Sequence, residues 1–384
     1  HQRQIDTADL YANMDQKDEY GNYTHYNWQQ AYATNPYWSM YHNTNSMDRN
    51  RFIGKASVFI KPTEWLKFEG RLGYDHYDSD QRSVILWSVD YPDGWYRDYN
   101  RKSTEINADF IAYFNKKFGK LDVNVMAGAN YRDYKNAIAT QGAAELVVPG
   151  LYTIANAKGT PTVTTDHSYR RSNSVYSNIS LGWANMLYLD VSLRNDWDST
   201  SKNSFFYPSC SGSWIITESF PKLTEAKVLD FLKLRGGWAK IGNATSPYQI
   251  NSYYNVMSKS FKGTTLYYNP TKFPPSDLRP EMVKTWEVGV EAHMFNHRLR
   301  LDAAYYQRTT TDQIMSANVA TSTGYSSMVL NAGKINNKGI EISLSGDIIK
   351  NPKGFNWTST INFSKDKSKI LELYTAPHTG PSLE

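Results

Sequence analysis

From Gly339 onward the side chains of this sequence leave the backbone alternately apolar and polar. Ile340, Ile342 and Leu344 share one side; Glu341, Ser343 and Ser345 share the other. After Lys350–Gly354 the pattern resumes. Phe355, Trp357, Ile361 and Phe363 stand with Ser359, opposite Asn356, Thr358, Thr360 and Asn362. Successive side chains of a pleated strand leave opposite faces, so a period of two specifies β-strand. Asn351, Pro352, Lys353 and Gly354 supply turn residues between the two runs. The segment is therefore an antiparallel hairpin with a dry face and a wet face. What lies against the dry face decides what the chain can do.

The same pattern recurs in about six hairpins along the chain. Phe52, Gly54, Ala56, Val58 and Ile60 turn at Lys61–Trp65 into Leu66, Phe68, Gly70, Leu72 and Tyr74. Ile106, Ala108, Phe110, Ala112 and Phe114 turn at Lys116–Lys120 into Val123, Val125, Ala127, Ala129 and Tyr131. Val175, Ile179, Leu181 and Trp183 turn at Ala184–Met186 into Leu187, Leu189, Val191 and Leu193. Tyr207–Trp214 passes through Thr217–Ala226 to Leu232, Leu234, Gly236 and Trp238. Trp286, Val288, Val290 and Ala292 turn at Met294–Arg298 into Leu299, Leu301, Ala303 and Tyr305.

None of these dry faces carries Asp, Glu, Lys or Arg, although 21% of the chain is charged. An unpaired charge is costly in a protein core and, at roughly 2–4 kcal/mol, at the lipid-facing midplane of a barrel. The connections separate these two environments. Turns within a pair are short, whereas the linkers Asp75–Lys102, Arg132–Ser172, Gly242–Glu281 and Arg308–Ala332 are long. A soluble sandwich turns every 8–12 residues or so. A membrane barrel has tight periplasmic turns and extended outer loops, with strands of about 10 residues in the bilayer. Trp65, Phe114, Trp183, Phe355 and Trp357 gather near the short turns, where an interfacial girdle belongs. The expected fold is all-β, an antiparallel transmembrane β-barrel. Residues 1–50 are expected as mainly extracellular loop, 51–366 as the hairpins, and 367–384 as the start of a further loop.

The long loops are rich in aromatic and amide side chains. Planar rings supply contact area at little entropic cost, and amides supply hydrogen bonds, so such loops suit a sugar or a peptide. Tyr37, Trp38, Trp87, Tyr91, Trp95, Tyr96, Tyr253 and Tyr254 are the ligand-binding candidates, against a reading as ordinary solvated loop. On the wet faces, Arg71, Asp75, Asp109, Arg132, Asp190, Arg194, Arg235, Glu287 and Glu341 would face a lumen. The plainer reading is that they pair across strands and solvate the wall, at roughly 0.2–1 kcal/mol per pair.

Other chemistry finds little support. A net charge of +5 without a basic block gives no ground for nucleic-acid binding, and the single Cys210 excludes an internal disulfide. No GxSxG elbow and no Cys/His nucleophile pair can be argued, so no enzyme is expected. His293 and His297 have a spacing that serves zinc on a helix; in a turn between strands it is not expected to align them. Carboxylates cluster in Asp75–Asp80 and Asn195–Ser201, read as solvated acidic loops with calcium as the alternative. No other cofactor is implied.

Several stretches, in order, resemble the SusC/RagA family of TonB-dependent outer-membrane transporters from Bacteroidota. They are "NPYW" with "DRNRFIGKASV" and "WLKFEGRLGYD", then "LRNDWDSTSKNSFFYPSCSGSWIITE", "LKLRGGWAKIGN", "LRPEMVKTWEVGVE" and "NAGKINNKGIEISL". Asn203, Tyr207, Gly237 and Trp238 depart from the usual residues of those stretches. The resemblance implies a barrel of about 22 strands with a plugged lumen. It also implies energy drawn from the TonB complex and a SusD-like lipoprotein over the mouth, with outer-membrane lipids around the wall. About 12 strands are countable here, so residues 1–384 are expected to be part of a single barrel domain whose plug and TonB-binding segment lie outside this sequence. A 12-stranded barrel closing on itself is the other possibility. The expected function is active import of an oligosaccharide or peptide. A passive porin and a soluble or surface-attached glycan-binding module are the competing readings.

Overall fold

The alternation folds as the pattern requires. The computed structural model describes residues 6–21, 23, 34–88, 91–250, 253–257, 260–273 and 278–372. Eight long strands come first: β1 (Thr44–Thr63), β2 (Leu66–Ile85), β3 (Trp95–Phe118), β4 (Leu121–Ala143), β5 (Thr162–Trp183), β6 (Leu187–Asp198), β7 (Phe205–Ile215) and β8 (Leu229–Asn243). Short loop strands follow as β9 (Asn255–Val256), β10 (Tyr267–Tyr268) and β11 (Lys272–Phe273). Then come β12 (Glu281–Met294), β13 (Leu299–Thr311), β14 (Ile314–Asn318), β15 (Ser327–Asn331), β16 (Lys334–Ile349) and β17 (Trp357–Glu372). The twelve long strands form one sheet in the order β1-β2-β3-β4-β5-β6-β7-β8-β12-β13-β16-β17. The ladders are antiparallel in direct register, with Val288 opposite Tyr305 and Ile342 opposite Phe363.

Links on one side of this sheet are mostly shorter than those on the other, although 216–228 is longer than the 199–204 link opposite. On one side the links are 64–65, 119–120, 184–186, 216–228, 295–298 and 350–356. At 184–186 the Met186 N–H donates to the Trp183 carbonyl, and Ala184 and Asn185 both have positive φ. Positive φ at both central residues with this hydrogen bond is the type I′ signature, here within a three-residue link.

Most of the residues expected as loop between β2 and β3, and between β4 and β5, are strand. β3 runs 24 residues and β4 runs 23, against the expected length of about 10. β1 begins at Thr44, and Pro36–His42 is helical, inside the segment expected as mainly loop. The physical reason is that apolar alternation is needed only where one face meets an apolar medium. Where both faces are wet, the backbone ladder continues and the pattern fades. Of residues 367–384, expected to open a further loop, 367–372 continue β17 as strand and 373–384 lie outside the described residues.

The chain divides into two compact units. The first comprises His1–Lys55, Gly73–Ile106 and Asp133–Tyr169. It contains helices α1 (Thr7–Ala12) and α2 (Pro36–His42). Asn35 caps α2 by accepting from the Tyr37 and Trp38 amides, while its own amide donates to the Leu10 carbonyl at 3.0 Å. A second small core packs Val84, Tyr96, Ala143 and Leu146 against Trp87, Tyr152 and Ile154. Gly94 enters that core with φ +67, and a Cβ there would stand 2.8 Å from the Trp87 ring.

The second unit comprises Ala56–Leu72, Asn107–Arg132 and Arg170–Glu384. Its sheet is inside out by the standard of a soluble protein. Phe110, Val288 and Leu189, on the charge-free side, are 59%, 51% and 41% exposed. On the charged side Glu69 is 7% exposed and Ile111 only 2%. Among the described residues no second sheet or helical layer covers the apolar stripes.

Candidate functional site

The charged faces are assembled from strands whose register places opposite charges side by side. Around Asp109, on β3, the Arg71 Nε donates at 3.0 Å, the Asn130 amide at 2.8 Å and the Tyr176 hydroxyl at 3.3 Å. Asn130 also donates to the Asn107 side chain at 2.6 Å, and the Tyr113 hydroxyl donates to Glu69 at 2.8 Å. A second cluster centres on Arg235, on β8. Its two terminal nitrogens reach the two Asp302 oxygens at 2.8 Å each, and its Nε lies 3.7 Å from Glu287. The planar guanidinium matches a carboxylate with two parallel bonds, which fixes orientation as well as charge.

Glycines let these large side chains lie flat. Gly289 is directly opposite Arg235, and a Cβ there would stand 2.8 Å from the Arg235 Nε. Tyr176 lies over Gly128 in the same way, at 2.7 Å from such a Cβ. Beside this furniture runs a trough of about 480 Å³, lined by Asp190, Ser209, Ser211, Lys233, Arg235 and Gly237. A smaller trough of about 310 Å³ is lined by Arg235, Glu287, Asp302, Glu341, Asn362 and Ser364. Arg235 and Glu287 border both.

The remaining polar candidates sit as follows. Asp190 accepts a hydrogen bond from Ser180. Arg194 donates to Asp196 at 2.7 Å and to Ser174 at 2.9 Å. Asp75 pairs with Arg51 at 2.6 Å, within the first unit. Arg132 and Glu341 are exposed. The tyrosines and asparagines that complete these clusters were not among the candidates. Their signal is parity: Tyr113 shares a face with Asp109, and Asn130 and Tyr176 each fall on the polar side of their strands.

The loop aromatics divide in three. Tyr91, Tyr253 and Tyr254 are exposed. Tyr37, Trp87 and Trp95 are half-buried. Trp38 and Tyr96 are buried and form the cores of the loop structure, so they offer no open surface to a ligand. Burial first, and then the hydrogen bond its hydroxyl gives to Asp98, push the Tyr96 phenol above its ordinary range.

Among the described residues no three His, Cys, Asp or Glu side chains gather closely enough to hold a metal ion. The expectation that the turn would keep His293 and His297 apart is corrected: their Nδ1 atoms lie 3.2 Å apart.

The family model described as TonB dependent receptor-like, beta-barrel matches residues 2–380. The chain belongs to that family. It is part of an outer-membrane β-barrel. TonB-dependent receptor P26 of Formosa agariphila is 26% identical over 357 residues, covering 88% of this chain and 36% of that protein. TonB-dependent receptor SusC of Bacteroides thetaiotaomicron is 23% identical over 409 residues, covering 96% of this chain and 39% of that protein. A solved structure of the RagAB peptide transporter superposes with a TM-score of 0.79 at 21% identity, covering 93% of this chain and 41% of that one. The chain thus spans little more than a third of the length of these TonB-dependent receptor relatives.

Proposed function

We propose that the protein to which this barrel wall belongs imports an oligosaccharide or a peptide actively across the outer membrane. In this reading the TonB complex supplies energy through a plug domain, and a SusD-like lipoprotein covers the outer mouth. Tyr91, Tyr253 and Tyr254 offer exposed rings to the incoming substrate, and the polar face of the sheet lines the lumen. The observation that carries the reading is the inverted burial of the sheet within a TonB-dependent receptor family: bare apolar stripes on one face, and on the other mutually paired charges of which Glu69 and Asp109 are covered.

The paired charges suit a wall that must hold a plug and release it. Asp109, Glu69 and Asp302 already have partners, so a segment docked beside them exchanges hydrogen bonds with the wall and does not neutralise a naked charge. Exchange of this kind leaves small net energies, of the order of 0.5–1.5 kcal/mol per bond. Many such contacts hold together, and each is individually weak under a pulling force.

The test is uptake by cells expressing the full-length protein. Uptake of the substrate should stop when the proton-motive force is collapsed or TonB is deleted. Uptake that continues under both conditions identifies a passive pore instead.

A further inference from the structure

We propose that the turn between β12 and β13 binds a transition-metal ion of the zinc, nickel or copper class, with the Nδ1 atoms of His293 and His297 as its two protein ligands. The backbone makes an unusual effort to bring the rings together. Phe295, Asn296 and His297 have φ of +57, +57 and +59, three successive non-glycine residues in the left-handed region. That region is sterically unfavourable for L-residues, and strain of this kind concentrates at functional sites. The result places the two Nδ1 atoms 3.2 Å apart, with the ring planes crossing at 74°. Two nitrogens bound at about 2.0–2.1 Å in a tetrahedral centre stand roughly 3.3–3.4 Å from each other.

The surroundings set the tautomer. The Nε2 of His293 lies 3.3 Å from Glu291 Oε1. An ionised carboxylate only accepts, so that nitrogen carries the hydrogen, and a neutral ring then presents its lone pair at Nδ1. A carboxylate behind a histidine is the arrangement that orients metal-binding imidazoles. Phe231 packs on the His293 ring with centroids 5.0 Å apart, and Asp230 accepts from the His297 amide at 2.8 Å. Both contacts hold the turn in place. Imidazole pairs favour zinc, nickel and copper over calcium or magnesium, and water completes the coordination. The turn lies on the short-connection side of the sheet, which outer-membrane barrels keep in the periplasm.

The same contact would arise from a single proton, donated by His297 Nδ1 to His293 Nδ1. Metal titration separates the two. Full-length protein without an affinity tag, stripped with a chelator, is titrated with Zn²⁺ against a chromophoric competitor. Wild type should bind one equivalent more than the His293→Gln/His297→Gln double variant. Glu291→Gln should keep that equivalent but weaken it by about tenfold or more, as loss of an outer carboxylate does. Equal stoichiometry and affinity in wild type and double variant would overturn the proposal and leave the contact as a hydrogen bond.

Discussion

Gly339 and Gly70 are both strand glycines, and they should respond oppositely to a side chain. A Cβ at Gly339 would stand 2.6 Å from the Tyr306 hydroxyl and 2.9 Å from the Lys365 carbonyl oxygen; at Gly70 it would meet nothing within 4 Å. The carbonyl cannot move without disturbing the β16–β17 ladder. Gly339→Val should therefore destabilise the barrel by roughly 1–3 kcal/mol, the usual range for overpacking. Gly70→Val should be neutral or slightly stabilising, since a β-branched residue suits a strand. Thermal unfolding of both variants in detergent checks this, and equal melting temperatures would refute it. At this scale the sequence is only partly legible. Parity assigns Arg71, Asp109 and Arg235 to the polar side, because a strand leaves no other choice. It does not reveal that Asp109 gathers three donors, or that Gly289 and Gly128 make room for Arg235 and Tyr176. Those facts depend on register between strands, which alternation within one strand does not specify.

Among the elements, the hairpins were readable and their lengths were not. The short turns fall where Gly119, Ala184-Asn185 and Pro352-Lys353-Gly354 interrupt the alternation. The outer extensions of β2 to β5 lack the apolar stripe, and the aromatic content there reads as loop. Part of that content is core: Tyr96 and Trp38 hold the outer structure together, while Tyr253 and Tyr254 remain exposed. Burial also gives the loop core a pH dependence. The Tyr96 and Tyr152 phenols are both raised, chiefly by desolvation, which disfavours the phenolate. A raised folded-state value contributes stability in full below the unfolded tyrosine value of about 10, and loses it as pH rises through the folded value. Tyrosine near-ultraviolet signals from the loop core should be unchanged from pH 7 to 9 and collapse above about 10. Tyr152→Phe should soften that collapse. An alkaline transition of the same steepness in that variant would contradict the assignment.

For the whole molecule, the charged inner face and the bare outer face imply different experiments. If the inner face holds a plug, neutralising Arg71 and Arg194 together should loosen it. Full-length protein carrying Arg71→Gln and Arg194→Gln, reconstituted in planar bilayers, should show raised basal conductance; unchanged conductance would mean the charges only solvate the wall. The outer face bears the central claim. In full-length Cys210→Ser protein, nitroxide labels placed at Val288→Cys, Leu189→Cys and Ile342→Cys are compared in lipid vesicles with labels at Glu287→Cys, Asp190→Cys and Ser343→Cys. The first set should be relaxed strongly by oxygen, which partitions into lipid, and weakly by a water-soluble paramagnet. The second set should show the reverse, residue by residue along each strand. If both sets were equally open to the water-soluble reagent, the stripes would not face hydrocarbon, and the membrane assignment would fail.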